Sequence, residues 1–296
     1  MLRRLKRKGT RRLVVLMSDT HCGNRLGLLN PDTVLLEEDE QGEITEYSPA
    51  LGPTQRYLWK LYTSHLDKMA EMAAGDEVVV IVNGDLTHGT KYPDGLAQNR
   101  ISDQVAIAFW CLRPWLERDD LNVKKLRVLR GTGSHTDYGS AESMVAMLLK
   151  KAFPRHDIEV LYHALFDFDG VLFDVAHHGP GPGIRVWTDG NQQRYYLRSL
   201  MLQHVLDNQE PPRIVARAHY HRWARETVRT EWGGREYKSD IIATPSYCGI
   251  NGHGRQVTRS VHKQTHGLVV CEVADGQIVQ IKPIKKSLDL RTKAQL

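Results

Sequence analysis

Among the side chains of this chain that could ligate metals or transfer protons, seven fall at regular places: Asp19, His21, Asp85, His135, His177, His219 and His221. Carboxylate and imidazole together suit manganese, iron or zinc better than calcium. Two such cations held close together cleave phosphoesters, because they activate water at neutral pH and neutralise charge building on phosphorus. Each fragment also has an ordinary explanation. Asp-x-His arises by chance, Gly-Asp after a strand is commonly a turn, and a single histidine is more often structural than a ligand. His219-Tyr220-His221 is stronger, since alternate residues of an extended segment project from the same face. Taken in order, the set predicts a metal centre.

The elements that must position these residues are strands alternating with helices. Strands are expected at 13–17, 78–82, 125–129, 158–162, 171–176 and 214–216. Helices are expected at 54–74, closed by Gly75, at 103–117, bent or split by Pro114, at 140–151, capped by Ser140-Ala141-Glu142, and at 194–208. The segment 131–139 reads as a loop, and from Glu226 onward the pattern is mostly β, with a Gly233-Gly234 turn and strands at 267–273 and 278–284. Asp19 and His21 follow the first strand, Asp85 the second, His135 the third, His177 the fifth, and His219 and His221 the sixth. Ligand sites in open α/β sheets collect beyond the carboxyl ends of strands. The fold class is therefore a layered α/β domain.

The bulk properties fit a globular chain: 296 residues, 41% hydrophobic, net charge +5. No stretch approaches the roughly 20 apolar residues of a membrane span, and no apolar core follows the cationic start. A cytoplasmic protein without a membrane partner is expected. The organisation expected is a basic arm over 1–12, one domain over 13–286 with a polar insertion at 24–53, and a tail over 287–296. The arm carries Arg3, Arg4, Lys6, Arg7, Lys8, Arg11 and Arg12 and is a candidate contact for nucleic acid; its alternative is a frayed, soluble terminus. Within the insertion a hairpin is expected around 38–42. Its acidic run Glu37, Glu38, Asp39 and Glu40 either borders the site or is a solvated surface. Four cysteines, widely spaced and without a C-x-x-C pair, argue against a disulfide scaffold and against a thiolate zinc site; Cys22, beside the first motif, is a minor candidate ligand.

These motifs resemble the calcineurin-like metallophosphoesterase superfamily, whose pattern is D-x-H, G-D, G-N-H-[D/E], H and G-H-x-H. The matching segments are Asp19-Thr20-His21, Gly84-Asp85, Gly133-Ser134-His135, His177-His178-Gly179 and Ala218-His219-Tyr220-His221, a resemblance spanning about 13–221. It implies a four-layer α/β/β/α sandwich with two divalent metal ions, manganese first, iron or zinc as alternatives. Asp19, His21 and His221 would hold one ion, Asp85 would bridge, and His177, or His178 in its place, with His219 would hold the other. A hydroxide shared by the two ions would be the nucleophile, and His135 would serve the leaving group. Two departures matter. Ser134 stands where the family has an asparagine ligand, so Ser134, Thr132 or water would complete a weaker second position. The acidic residue after His135 is displaced to Asp137, a candidate to orient His135.

The function expected is a phosphodiesterase acting on nucleic acid. The alternatives are a small-nucleotide phosphodiesterase or phosphomonoesterase, and a scaffold that keeps the fold with weakened catalysis. Gly84-Asp85-Leu86-Thr87-His88 lacks the G-D-x-V-D-R-G run of protein phosphatases. Lys91 and Arg100 are candidate phosphate contacts. His253, His262 and His266 are candidates to line a groove, and residues 179–183 a glycine-rich pass beside His177.

Overall fold

Strands such as 13–17 and 78–82 are apolar at every position, so both of their faces must be covered. The computed structural model, which describes residues 11–93, 95–183, 186–250, 263–292 and 294, shows by what. In chain order the strands are β1 (Arg11–Met17), β2 (Leu35–Glu38), β3 (Ile44–Tyr47), β4 (Glu77–Asn83), β5 (Val123–Leu129), β6 (Asp157–Leu161), β7 (His163–Phe168), β8 (Val171–Ala176), β9 (Ile214–Arg217), β10 (Ala224–Trp232), β11 (Arg235–Ala243), β12 (Lys263–Ala274) and β13 (Gln277–Asp289). The helices are α1 (Pro53–Ala73), α2 (Ile101–Glu117), the single turn α3 (Gly133–Thr136), α4 (Ser140–Ala152) and α5 (Asn191–Leu206).

The chain is a mixed α/β structure with two large sheets, ordered β13-β12-β1-β4-β5-β6 and β10-β11-β9-β8-β7. Strands β1, β4, β5 and β6 run parallel, as do β8, β9 and β11. Period-two alternation divides the core. Leu13, Val15 and Met17 of β1, with Val78, Val80 and Val82 of β4, pack against Leu58, Tyr62, Leu66 and Met69 of α1 and against Cys111, Leu112 and Trp115 of α2. Val14, Leu16, Val79 and Ile81 face the other way and meet Phe173, Val175, Ile214 and Ile242 of the second sheet. The far side of that sheet buries Val215, Val228 and Ile241 under Leu197 and Met201 of α5.

Several expectations are corrected. Arg11 and Arg12 are not part of an arm, because they are paired in β1: Arg11 with Asp76 and, at 2.7 Å, Glu272; Arg12 with Asp169 at 2.9 Å. Residues 1–10 lie outside the described residues. The tail begins later than 287, since Lys263 still pairs with Asp289 in the β12–β13 ladder. Pro114 does not split α2, which runs as one element from Ile101 to Glu117. Segment 131–139 is not a plain loop but contains α3 and a further helical turn over Asp137–Gly139. Ser140 does not cap α4: Gly139 is the cap residue, at φ +89°, and the Ser140 hydroxyl donates instead to Asp137 Oδ2 at 2.9 Å. The expected hairpin is β2–β3, turning through Asp39, whose carboxylate accepts from the Gln41 and Glu43 amides. Glu37, Glu38, Asp39 and Glu40 are exposed there. Among the described residues no helix is long and apolar enough to cross a membrane.

One buried charge ties the second sheet to its helix. Arg217, 1% exposed, pairs with Asp174 Oδ1 at 2.7 Å across β8 and β9 and donates to the Tyr196 hydroxyl on α5 at 2.9 Å. Removing one partner of a buried pair strands the other and costs about 3–5 kcal/mol. Arg217→Met is expected to lower the melting temperature by about 10 °C in thermal denaturation, and adding Asp174→Asn is expected to recover part of that loss.

Candidate metal centre

The parallel neighbours β1 and β4 end side by side, and their following turns are joined by backbone hydrogen bonds. Asp19 N–H donates to the Gly84 carbonyl at 3.1 Å, His21 N–H to Asp85 at 3.0 Å and Cys22 N–H to Leu86 at 2.8 Å. Asp19 (φ +52°), His21 (+42°), Asp85 (+52°), His219 (+72°) and His221 (+52°) all occupy the left-handed region. Non-glycine residues enter that region at a cost and collect at functional sites when the surrounding structure over-determines them. Here the left-handed step turns each chain sharply at the strand end and aims the side chain inward. Two glycines have no such choice. A Cβ on Gly84 (φ +84°) would overlap the His177 ring, and one on Gly131 would overlap Asp85.

Both carboxylates are fully buried, Asp19 at 0% and Asp85 at 1% exposure, and each is half-committed. Asp85 Oδ1 accepts from the Thr132 amide at 2.6 Å, and Asp19 Oδ2 from the His219 amide at 3.3 Å. The remaining oxygens face imidazoles. Asp19 Oδ1 lies 3.3 Å from His221 Nε2 and 3.9 Å from His21 Nε2. Asp85 Oδ2 lies 3.8 Å from His21 Nε2, 3.2 Å from His177 Nε2 and 3.2 Å from the Thr132 hydroxyl. The structure thus brings Asp19, His21, Asp85, His177 and His221 together. His178 and His219 stand beside His177, the ligand atoms of those three within 4.8 Å of one another.

These residues fit a cation. Asp19 Oδ1 and His177 Nε2 are buried without a hydrogen-bond partner, although His177 Nε2 stands within ion-pair distance of Asp85; the distance is right and the alignment is not. Unpaired buried polar atoms are costly, and here they converge on one another. The ring orientations are set from behind: His177 Nδ1 donates to the Asn83 carbonyl and His135 Nδ1 to the His88 carbonyl, both at 2.7 Å, leaving each Nε2 forward. The local field attracts positive charge. Burial alone would raise the Asp19 and Asp85 carboxyls, but His221 and His177 respectively hold them well below the ordinary range. Burial alone would lower His177, yet Asp85 raises it to about 9, while burial takes His219 down to about 4.

Of the oxygens the sequence offered beside His219, Thr132 is the one that stands at the cluster. Thr132 Oγ1 lies 3.2 Å from His178 Nε2 and 3.4 Å from His219 Nδ1, as well as against Asp85. Thr132 precedes α3 at an extended backbone position that turns it to the cluster, whereas Ser134 is inside α3. Asp137 does not orient His135, whose Nδ1 is taken by the His88 carbonyl; Asp137 accepts from Ser140 instead. Cys22 is buried with its sulfur 3.7 Å from the Thr20 hydroxyl, and it is Cys248 that joins His21 and His221 within 4.8 Å. His266 does not line a groove: it is buried, near the Ser246 carbonyl and edge-on to Tyr57. His253 and His262 lie outside the described residues. Gly179 and Gly181 give close passage to Arg217 and Tyr220 rather than to His177. Lys91 is exposed over the Tyr92 ring, whose centroid is 5.6 Å from that of His135, and Arg100 is exposed just ahead of α2. Sequence reasoning missed His88, which reaches His21 Nδ1 at 3.4 Å and Asn24 at 3.0 Å. Its only signal was its place three residues after Asp85.

No protein-family model matches the sequence, and no curated protein matches it. The structure is similar to the crystal structure of TT1561 from Thermus thermophilus, at 10% identity over 95% of this chain and 100% of that one, with a TM-score of 0.37. At that level the likeness decides neither fold nor function.

Glu142 lies under this centre, fully buried, with Oε1 accepting from the Gly131 amide at 3.3 Å and Oε2 unpartnered. Burial pushes its carboxyl from 4.5 up to about 8. The native state therefore holds an extra proton between those values, and stability falls as pH rises through that window, by up to about 1.4 kcal/mol per pH unit. In chelator-treated protein, melting temperature is expected to drop by about 3 °C per unit from pH 5 to 8. Glu142→Gln is expected to flatten that slope; an unchanged slope would assign it to other groups.

Proposed function

We propose that this chain is a phosphoester hydrolase using two divalent metal ions, of the calcineurin-like metallophosphoesterase type that its motifs resemble. The observation that carries the proposal is Asp85, whose Oδ2 stands between two donor sets. Asp19, His21 and His221 form the first; Thr132, His177, His178 and His219 form the second. Helices over one large sheet, the second sheet behind it and α5 beyond support the four-layer reading.

When bound, the two ions would supply Lewis-acid polarisation of the phosphoryl oxygens and a water nucleophilic at neutral pH, with manganese the first choice. The chain's own residues do the rest. The left-handed turns and the tied carboxylate oxygens hold the donors before substrate arrives, so no reorganisation accompanies reaction. His135 Nε2, with Nδ1 held by the His88 carbonyl, is the nitrogen that hands a proton to the departing alkoxide. Lys91 and Tyr92 beside His135 offer a cation and an aromatic face, which a nucleotide leaving group would engage. That pair favours a phosphodiester of nucleic acid over a simple phosphomonoester.

The test is manganese-dependent hydrolysis of a bis-aryl phosphate. His135→Ala is expected to lower kcat by roughly 10²–10⁴-fold with little change in metal content, while inactivity with every divalent ion would sink the proposal. Single-stranded DNA, duplex DNA, RNA and cyclic nucleotides, compared with and without residues 1–10, assign the substrate; preference for cyclic nucleotides would overturn the nucleic-acid reading.

The two donor sets can also be separated. Calorimetric titration with manganese is expected to show two binding events. Thr132→Val should weaken one by about tenfold or more, and Ser134→Ala should leave both unchanged. The reverse pattern would return the ligand role to Ser134.

A further inference from the structure

Cys248 stands at the first donor set. Its sulfur and the ligand nitrogens of His21 and His221 all lie within 4.8 Å of one another, and the residue is 4% exposed. The loop over 244–249 leaves β11 and is pinned to the first motif on both sides of the cysteine. Tyr247 N–H donates to the Asp19 carbonyl at 3.2 Å, and Gly249 N–H to Leu26 at 2.8 Å. The Cys248 carbonyl accepts from the Ser246 hydroxyl at 3.2 Å and from the Gln264 amide. The Tyr247 hydroxyl is in turn fixed 2.8 Å from His65 Nδ1. This backbone has little freedom, whereas among the described residues the sulfur's own hydrogen-bond partner is the adjacent Gly249 carbonyl at 3.3 Å. Beside it, Asp19 Oδ1 is buried and without a hydrogen-bond partner.

Bonds of about 2.0–2.3 Å to one zinc ion require donors no more than roughly 4.4 Å apart, close to the 4.8 Å within which the three ligand atoms lie. Sulfur among nitrogen and oxygen donors shifts preference from manganese toward zinc or iron. The second set, built from Asp85, Thr132 and imidazoles, holds no sulfur.

We propose that Cys248 is a sulfur ligand of the first metal position and shifts that position's preference from manganese toward zinc. On binding, the S–H bond breaks, the proton leaves to solvent and the sulfur–metal bond forms. The proposal rests on the two-ion reading above.

The test is cobalt(II) titration of the metal-free full chain, followed by absorption. Wild type is expected to develop visible bands together with a near-ultraviolet thiolate-to-cobalt charge-transfer band. Cys248→Ser is expected to keep the visible bands and lose the near-ultraviolet one, and Cys22→Ser to keep both. Zinc affinity should fall about tenfold or more in Cys248→Ser, with manganese affinity at the second position within about twofold. Visible bands without charge transfer in wild type would overturn the sulfur ligand while leaving the two-ion reading intact. Charge transfer that survives Cys248→Ser and Cys248→Ala would overturn it too. Absence of cobalt bands altogether would overturn both.

Discussion

Two aspartates, Asp19 and Asp85, are buried side by side at the ends of adjacent parallel strands, and the rest of the site follows from that constraint. A pair of carboxylates in a dry interior is intolerable without compensation. Each is met the same way: one oxygen receives a backbone amide and the other faces imidazoles. The loops that supply those amides come from β5 and β9, so four strand ends must converge before either charge is satisfied. The left-handed residues, the close approach at Gly84 and Gly131, and the carbonyl partners of His177 and His135 are all consequences of that convergence.

Much of this was legible in the sequence. The β-branched run at 78–82 and the apolar run at 13–17 can only be doubly covered strands, and a carboxylate after each is hard to explain except at a sheet edge. The Gly84-Asp85 pair also declared itself, as did His219 and His221 by residue type, although both histidines sit in left-handed turns beyond β9 rather than on an extended segment. What escaped depends on three-dimensional placement. The sequence left Ser134, Thr132 and water open as the oxygen beside His219, because a four-residue helical turn leaves almost no periodic signal to say which of its neighbours turns inward. His88 and Cys248 belong to segments carrying no motif and reach His21 only through tertiary packing. Arg11 and Arg12 looked like part of a cationic arm; their partners Asp76, Glu272 and Asp169 are far away in sequence.

The two donor sets are unequal, though not as the missing asparagine implied. The second set gains an oxygen from Thr132 and a third imidazole from exposed His178, while the first has sulfur at its border. Hydroxyl and imidazole on one side, carboxylate, imidazole and thiol on the other, would place different chemical demands on two ions bridged by Asp85. A hydrolase built this way would hold one ion as structure and exchange the other more readily.

The most direct measurement is anomalous diffraction from crystals of the full chain soaked with manganese and with zinc. The account predicts two peaks sharing Asp85, one ringed by Asp19, His21 and His221 and the other by Thr132, His177 and His219. A single peak, or two peaks without Asp85 between them, would contradict it.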